Sequence, residues 1–238
     1  MDIKDKTVII TGATGKLTSQ IVLQLVKRGA NCLCVYHKNA KKAQVFVKKL
    51  QKTSKKVMFL QANLTKQREI ARFFKKIESF SKFSHPQILI NAAAVFDKKP
   101  LNKITEKYIE ETFAVNFSAA MMMTRKFAEI VGRKKAKIIN ITDAIIEKYQ
   151  PGFVVYSASK AALENATKIL AKELAPNITV NAVSPGIIHW PKNIAKKSLE
   201  KKPADTAAGV EKVVRAIEVI IKDDAITGTI INIDKQRN

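Results

Sequence analysis

The chain has 238 residues, of which 46% are hydrophobic, and carries 43 basic against 20 acidic side chains, a formal charge of +23. That length suits one large α/β domain, and no apolar run reaches the roughly 20 residues of a membrane-spanning helix. All but seven of the basic residues are lysines, scattered over nearly every predicted helix. That distribution describes a solvated surface, since nucleic-acid readout favours clustered arginine, so a nucleic-acid partner is not expected. The field should nevertheless draw in anionic ligands.

Met1–Lys6 is charged and leads straight into a strand, so no secretory leader is expected and a cytoplasmic location is. Thr7–Ile10 is a short apolar run closed by Thr11-Gly12, which predicts a buried strand and a tight turn. Lys16–Arg28 predicts a helix, with Leu17, Ile21, Val22 and Leu25 on one face and Gly29 as its stop. Strands follow at Asn31–Tyr36 and Val57–Leu60, alternating with helices at Ala40–Lys52 and Lys66–Ser79. A fourth strand, Gln87–Ile90, runs into Asn91-Ala92-Ala93-Ala94, and a long helix spans Thr105–Val131. The fifth strand is Lys137–Ile141, followed by a polar loop and the helix Val155–Leu174. After the sixth strand, Thr179–Ala182, the segment Ser184–Pro203 reads as irregular, and a helix at Ala207–Ile221 and a strand at Thr229–Ile233 complete the chain.

Strands apolar on both faces and separated by helices require a parallel sheet covered on both sides, here a doubly wound, Rossmann-like α/β fold of about seven strands. Such a sheet binds ligands beyond the carboxyl ends of its strands. Cys32 and Cys34, two apart in one strand, point to the same face and read as buried thiols in a reducing compartment. The histidines, His37, His85 and His189, lack metal-ligand spacing, so no metal is expected.

The first turn, Thr11-Gly12-Ala13-Thr14-Gly15-Lys16-Leu17, carries small residues that would let a pyrophosphate approach a helix N-terminus. Tyr156 and Lys160 lie one helical turn apart on one face, where an ammonium would lower the phenol's pKa and make Tyr156 a proton donor. With Asn91-Ala92, Asn116 and Pro185-Gly186, these motifs resemble, in order and spacing, the short-chain dehydrogenase/reductase family over nearly the whole chain. The resemblance implies a catalytic set of Asn116, Tyr156 and Lys160, with Tyr156 donating the proton, Lys160 binding the nicotinamide ribose and Asn116 holding a water of the proton relay. It implies a dinucleotide held by Thr11, Gly12, Gly15, Lys16, Leu17, Asn63, Leu64, Asn91, Ala92, Ala93, Tyr156, Lys160, Pro185, Gly186 and Ile188.

Where the family has a catalytic serine, thirteen residues before Tyr156, this chain has Asp143. That substitution, with Lys16 in the first turn and Tyr36-His37-Lys38-Asn39 after the second strand, resembles the pteridine reductase and dihydromonapterin reductase branch. An aspartate after a strand ordinarily caps a backbone N–H. Beside a Tyr–Lys pair it can also accept from a pterin amino group or relay a proton through Tyr156. A carboxylate cannot donate to a ketone oxygen as serine does, though a buried, protonated Asp143 could. No acidic residue lies between Ala30 and Leu50 to accept from ribose hydroxyls, and His37, Lys38, Asn39 and Lys16 suit a 2′-phosphate, so NADP(H) is the expected cofactor. Phe96 is a candidate substrate contact by ring stacking, or equally a core residue, and Trp190 a candidate as part of the family's lid, its alternative being packing in a subunit contact.

Several positions depart from the family pattern: Thr18 at the third glycine, Asn63 at an adenine-contacting aspartate, Ala94 at a glycine, and Asp234-Lys235-Gln236 at the terminal Asp-Gly-Gly. Asn63 can still offer its carbonyl oxygen to adenine. Three readings follow. The first is an NADPH-dependent reductase of a dihydropterin, of the dihydromonapterin or dihydrofolate class. The second is a 3-oxoacyl or small-carbonyl reductase of the same family. The third is a non-catalytic dinucleotide- or nucleic-acid-binding module. Family members pair through the long helix and the Tyr-bearing helix, so a homodimer or homotetramer is expected, and the apolar stretch Ala119–Met123 is compatible with that contact.

Overall fold

The computed structural model describes residues 1–51, 57–80, 83, 85–186 and 206–233. Seven strands form one sheet: β1 (Thr7–Ile10), β2 (Asn31–Tyr36), β3 (Val57–Gln61), β4 (Ile88–Asn91), β5 (Ala136–Ile141), β6 (Ile178–Ser184) and β7 (Ile230–Asn232). Their spatial order is β3-β2-β1-β4-β5-β6-β7 and every neighbouring pair is parallel. The helices are α1 (Lys16–Lys27), α2 (Ala40–Gln51), α3 (Gln67–Glu78), α4 (Glu106–Phe113), α5 (Ala119–Val131), α6 (Val154–Glu173) and α7 (Thr206–Lys222).

The two-residue period of a strand divides its side chains between two cores. Val8, Ile10, Cys32, Cys34, Ile88 and Ile90 meet Ile21, Val22 and Leu25 of α1 and Val213, Val214 and Ile217 of α7. Their alternates, Ile9, Leu33, Leu89 and Ile138, meet Ile70, Phe73 and Ile77 of α3 and Met123 and Phe127 of α5. Cys32 and Cys34 are unpaired thiols on the α1 face, and burial pushes Cys32 up to about 12 and Cys34 well upward too.

The chain lays down β1, β2 and β3 toward one edge, then returns to place β4 on the other side of β1. That reversal opens a crevice above the carboxyl ends of β1 and β4. Two loops meet there: the Thr11 hydroxyl accepts from the Ala92 N–H at 2.9 Å and the Ala93 N–H at 3.0 Å, and the Thr11 N–H donates to the Ile90 carbonyl at 3.0 Å. Below the crevice, Asn91 Nδ2 donates to Asn140 Oδ1 at 2.9 Å, and Asn140 Nδ2 donates to Thr167 Oγ1 at 2.8 Å, so β4, β5 and α6 are joined by buried amides.

Two expectations need correction. The helix expected over Thr105–Val131 is interrupted by a π segment at Ala114–Ser118, which separates α4 from α5. A π turn adds a residue to the turn and re-aims its side chains, and the one it buries is Asn116. The loop expected after β5 contains a 3-10 turn, Ala144–Lys148, capped by Asp143. Not every lysine lies on the surface: besides Lys160 of α6, Lys137 is fully buried in β5, donates to the Asp223 carbonyl at 2.8 Å and pairs with Asp224 at 2.5 Å. Among the described residues no helix is long and apolar enough to cross a membrane.

Phe127 is fully buried between α5 and the sheet. Truncation to alanine leaves a cavity that removes about 3–5 kcal/mol of stability, read as a lowered urea midpoint with unchanged m-value.

Candidate active site

At the first turn the backbone must come unusually close to its neighbour. Gly12 has φ +66°, and a Cβ there would lie 2.7 Å from the Ala93 Cα, so only glycine fits. Gly15 is tight as well: a Cβ would meet the Gly12 carbonyl at 3.1 Å and the Thr18 hydroxyl at 3.3 Å, so the threonine at the family's third glycine position shares the space beside Gly15 with the turn's own backbone. Gly15 supplies the N-cap of α1 without a side-chain hydrogen bond, and the first turn, with Lys16 and Leu17, contains no acidic residue. A helix N-terminus uncapped by a side chain and reached by a Cβ-less turn fits a pyrophosphate. His37, Lys38 and Asn39 are exposed beyond β2.

Asn63 follows β3 with Leu64, both half-buried. Its side-chain oxygen accepts from the Thr65 N–H at 3.1 Å and the Thr65 hydroxyl at 2.8 Å. Both lone pairs are therefore engaged in a local turn, so an adenine amino group would have to share or displace one of these bonds. Asn91 is the last residue of β4. It is buried, and its amide ties β4 to Asn140 and, at 3.3 Å, to Thr124 Oγ1, leaving the backbone of Ala92 and Ala93 to face the turn that carries Gly12.

The catalytic candidates converge. Asp143 leaves β5 and Tyr156 opens α6, and the phenol donates to Asp143 Oδ2 at 2.7 Å. The other carboxylate oxygen, Oδ1, accepts from the Ile145 N–H at 2.9 Å, so Asp143 caps the 3-10 turn and receives the phenol at once. Lys160 is buried, with Nζ donating to the Ile141 carbonyl at 2.8 Å and lying 6.0 Å from the centre of the Tyr156 ring. Asn116 Oδ1 accepts from the Val95 N–H at 2.8 Å, and its Nδ2 donates to the Val95 carbonyl at 3.1 Å and to Ser159 Oγ at 3.0 Å. Asn116 thus pins the loop after β4 against α6. Phe96, on that loop, meets Tyr156 edge-on at 4.6 Å between ring centroids and stacks on Phe153 at 5.0 Å. Pro185 is buried after β6, where its carbonyl accepts from the Ala144 N–H at 3.0 Å, and Gly186 is half-buried. Ile188 and Trp190, with Asp234, Lys235 and Gln236, lie outside the described residues.

The electrostatics correct one expectation. Burial, reinforced by Asp143, raises the Tyr156 phenol well above its ordinary value rather than lowering it. Burial also raises the Asp143 carboxyl, against the pull of the Ile145 N–H, Tyr156 and Lys160. Lys160 is brought down to about 8 by burial, opposed by Asp143 and Glu164. The lysine head points to a carbonyl, and the nearest charge to the phenol is a carboxylate, so Tyr156 is held as a proton-bearing acid.

The short-chain dehydrogenase family model matches residues 6–202. The chain belongs to that family. It is therefore an oxidoreductase, and the non-catalytic reading falls away. This family member is 29% identical to L-xylulose reductase of Caenorhabditis elegans, over 98% of this chain and 96% of that protein. It is 29% identical to the 3-oxoacyl-(acyl-carrier-protein) reductase FabG of Staphylococcus epidermidis, over 77% of this chain and 75% of that protein. Its fold is that of FolM alternative dihydrofolate reductase 1 from Brucella canis, solved with NADP, at a TM-score of 0.83 and 22% identity, covering 98% of this chain and 94% of that one.

Three residues escaped the sequence reading. Ser159 accepts from Asn116 and donates to the Tyr156 carbonyl at 2.7 Å. Phe153, three residues before Tyr156, backs Phe96. Lys42 donates from α2 to the Thr14 carbonyl of the glycine turn. The spacing of Phe153 from Tyr156 is a usable signal, whereas Lys42 is hidden among so many lysines.

Gly12→Ala should cost about 2 kcal/mol or more, from backbone strain and the collision with Ala93, seen as a lowered melting temperature. Catalysis that needs the Lys160 ammonium falls as pH rises through about 8, because the charged form is lost there. A kcat/KM profile taken from pH 6 to 10 checks this; a rate still flat at about pH 10 contradicts it.

Proposed function

We propose that this chain is an NADP(H)-dependent reductase of a dihydropterin, of the dihydromonapterin or dihydrofolate class. The observation that carries the reading is the 2.7 Å hydrogen bond from the Tyr156 phenol to Asp143, at the position where the family uses serine. NADPH supplies a hydride to C6 of the substrate and leaves as NADP⁺. Tyr156 delivers the proton to N5, completing reduction of the C6–N5 double bond. Asp143 accepts the phenol's hydrogen bond at rest and is free to accept from a pterin amino group once that bond turns to the substrate. Lys160 holds positive charge beside the phenolate left behind, and Phe96, backed by Phe153, presents an aromatic wall to a flat ring.

The cofactor reading rests on Lys16, His37 and Lys38 around a first turn that fits a pyrophosphate, with no carboxylate between Ala30 and Leu50. The FolM neighbour, a dihydrofolate reductase by name and solved with NADP, is consistent with both halves of the proposal. A second reading, reduction of a 3-oxoacyl or small carbonyl substrate, is favoured by the raised Asp143 pKa, because a protonated carboxyl can donate to a carbonyl oxygen, and by the FabG relative. The proposal extends to one cytoplasmic domain that self-associates as a dimer or tetramer. The exposed apolar side chains of Ile109 on α4 and Val154 and Ile169 on α6 suit such a contact.

Purified protein mixed with NADPH and dihydropterins should lose the nicotinamide absorbance. Asp143→Ser should lower pterin turnover by about 100-fold while raising turnover of small carbonyls. Turnover of carbonyls with none of any pterin would reject the main reading and select the second.

A further inference from the structure

Lys42 lies in the first turn of α2, and its Nζ reaches back to donate to the Thr14 carbonyl of the glycine turn. Nearby, the Ala13 N–H donates to the Val35 carbonyl at 3.0 Å, so the ends of β1 and β2 and the first turns of α1 and α2 share one corner of the crevice. Cations at this corner are placed against their own helices. Lys16 opens α1 and Lys41 and Lys42 open α2, and neither first turn contains an acidic residue to offset the positive end of the dipole. Glu69 of α3 is engaged by the Asn63 N–H at 2.6 Å. The Thr14 carbonyl is a neutral acceptor that satisfies one of the three donors of an ammonium. An incoming dianion would be a far stronger partner for it.

Resting on the NADP(H) reading above, we propose that Lys42 is the side chain that distinguishes a 2′-phosphate from a 2′-hydroxyl in this chain, moving from the Thr14 carbonyl to the phosphate. His37 and Lys38 are exposed beyond β2, as Lys42 is on α2, so water and salt reach all three charges. Lys42 differs from them in having its head already directed into the glycine turn. Discrimination by a helix-borne lysine is thereby separated from the loop residues that the sequence pattern points to.

Fluorescence titration with NADPH and with NADH tests the assignment, using wild type, Lys42→Gln, Lys42→Arg and Lys38→Gln. Wild type should bind NADPH more tightly. Lys42→Gln should weaken NADPH by about ten-fold or more and NADH by less than about two-fold, as expected for loss of a charge-assisted bond to the phosphate alone. Lys42→Arg, which keeps charge and reach, should keep the preference, and Lys38→Gln should lose less of it than Lys42→Gln. Equal weakening of both cofactors by Lys42→Gln would overturn the assignment, making Lys42 a tie that shapes the turn. Retention of full preference in Lys42→Gln, or its loss in Lys42→Arg, would overturn it as well. Wild type binding both cofactors equally would remove the NADP(H) reading itself, a failure distinguishable from that of Lys42. Thermal unfolding of each variant without cofactor shows whether the turn survives the substitution.

Discussion

A parallel sheet buried on both faces leaves chemistry one place to go. Strands such as β1, β4 and β5 are buried along their whole length, so polar groups within them must find partners inside the protein. The Asn91 Nδ2 group, the Asn140 amide and the Thr167 hydroxyl do so with one another, while Asn91 Oδ1 stays buried without a partner, and the result is a floor linking β4, β5 and α6. The carboxyl edge above that floor is where backbone groups emerge. Thr11 stitches the two loops at the reversal of strand order, and the absent Cβ of Gly12 lets them touch. Nearly every candidate functional residue hangs from this edge.

Low dielectric then sets the character of the catalytic group. Tyr156, Asp143 and Lys160 are all removed from water, and burial is the largest influence on each. It pushes the two acids up and the ammonium down, which favours a neutral phenol and brings the lysine close to its titration range. Asp143 is constrained from both sides, as cap of the 3-10 turn through Oδ1 and as acceptor of the phenol through Oδ2. Its structural role and its chemical role are thus carried by different oxygens of one carboxylate, and each holds the other in register. Asn116, turned inward by the π segment, fixes the Phe96 loop against α6 in the same way. The site is a set of side chains positioned mainly by backbone contacts, which suits a proton transfer that tolerates little misplacement.

The high positive charge is spent in two ways that composition cannot separate. Arg28 ties α1 to α7 through Glu211 at 3.0 Å and Glu218 at 2.7 Å, and Lys137 is a buried partner of Asp224. Lys16, Lys41 and Lys42, in contrast, collect at the N-termini of α1 and α2, where a chain concerned only with helix stability would place acids.

From the sequence alone, the doubly wound architecture, the strand positions to within a residue or two and the convergence of Tyr156, Lys160 and Asp143 were legible. Apolar runs separated by helical periodicity demand a two-sided parallel sheet, and that sheet fixes which edge collects the loops. Tertiary structure alone decided what each polar group does. Spacing places Lys160 one turn from Tyr156, but only the fold shows its head on the Ile141 carbonyl and the phenol on Asp143, reversing the expected direction of the phenol's pKa. Asn63 and Asn91 likewise read as ligand contacts in one dimension, and only the fold adds the local and interstrand ties that hold them. The reason is physical: periodicity reports which side of an element is apolar, whereas hydrogen bonds and desolvation depend on the partners that distant segments bring, and those partners leave no periodic trace in the chain.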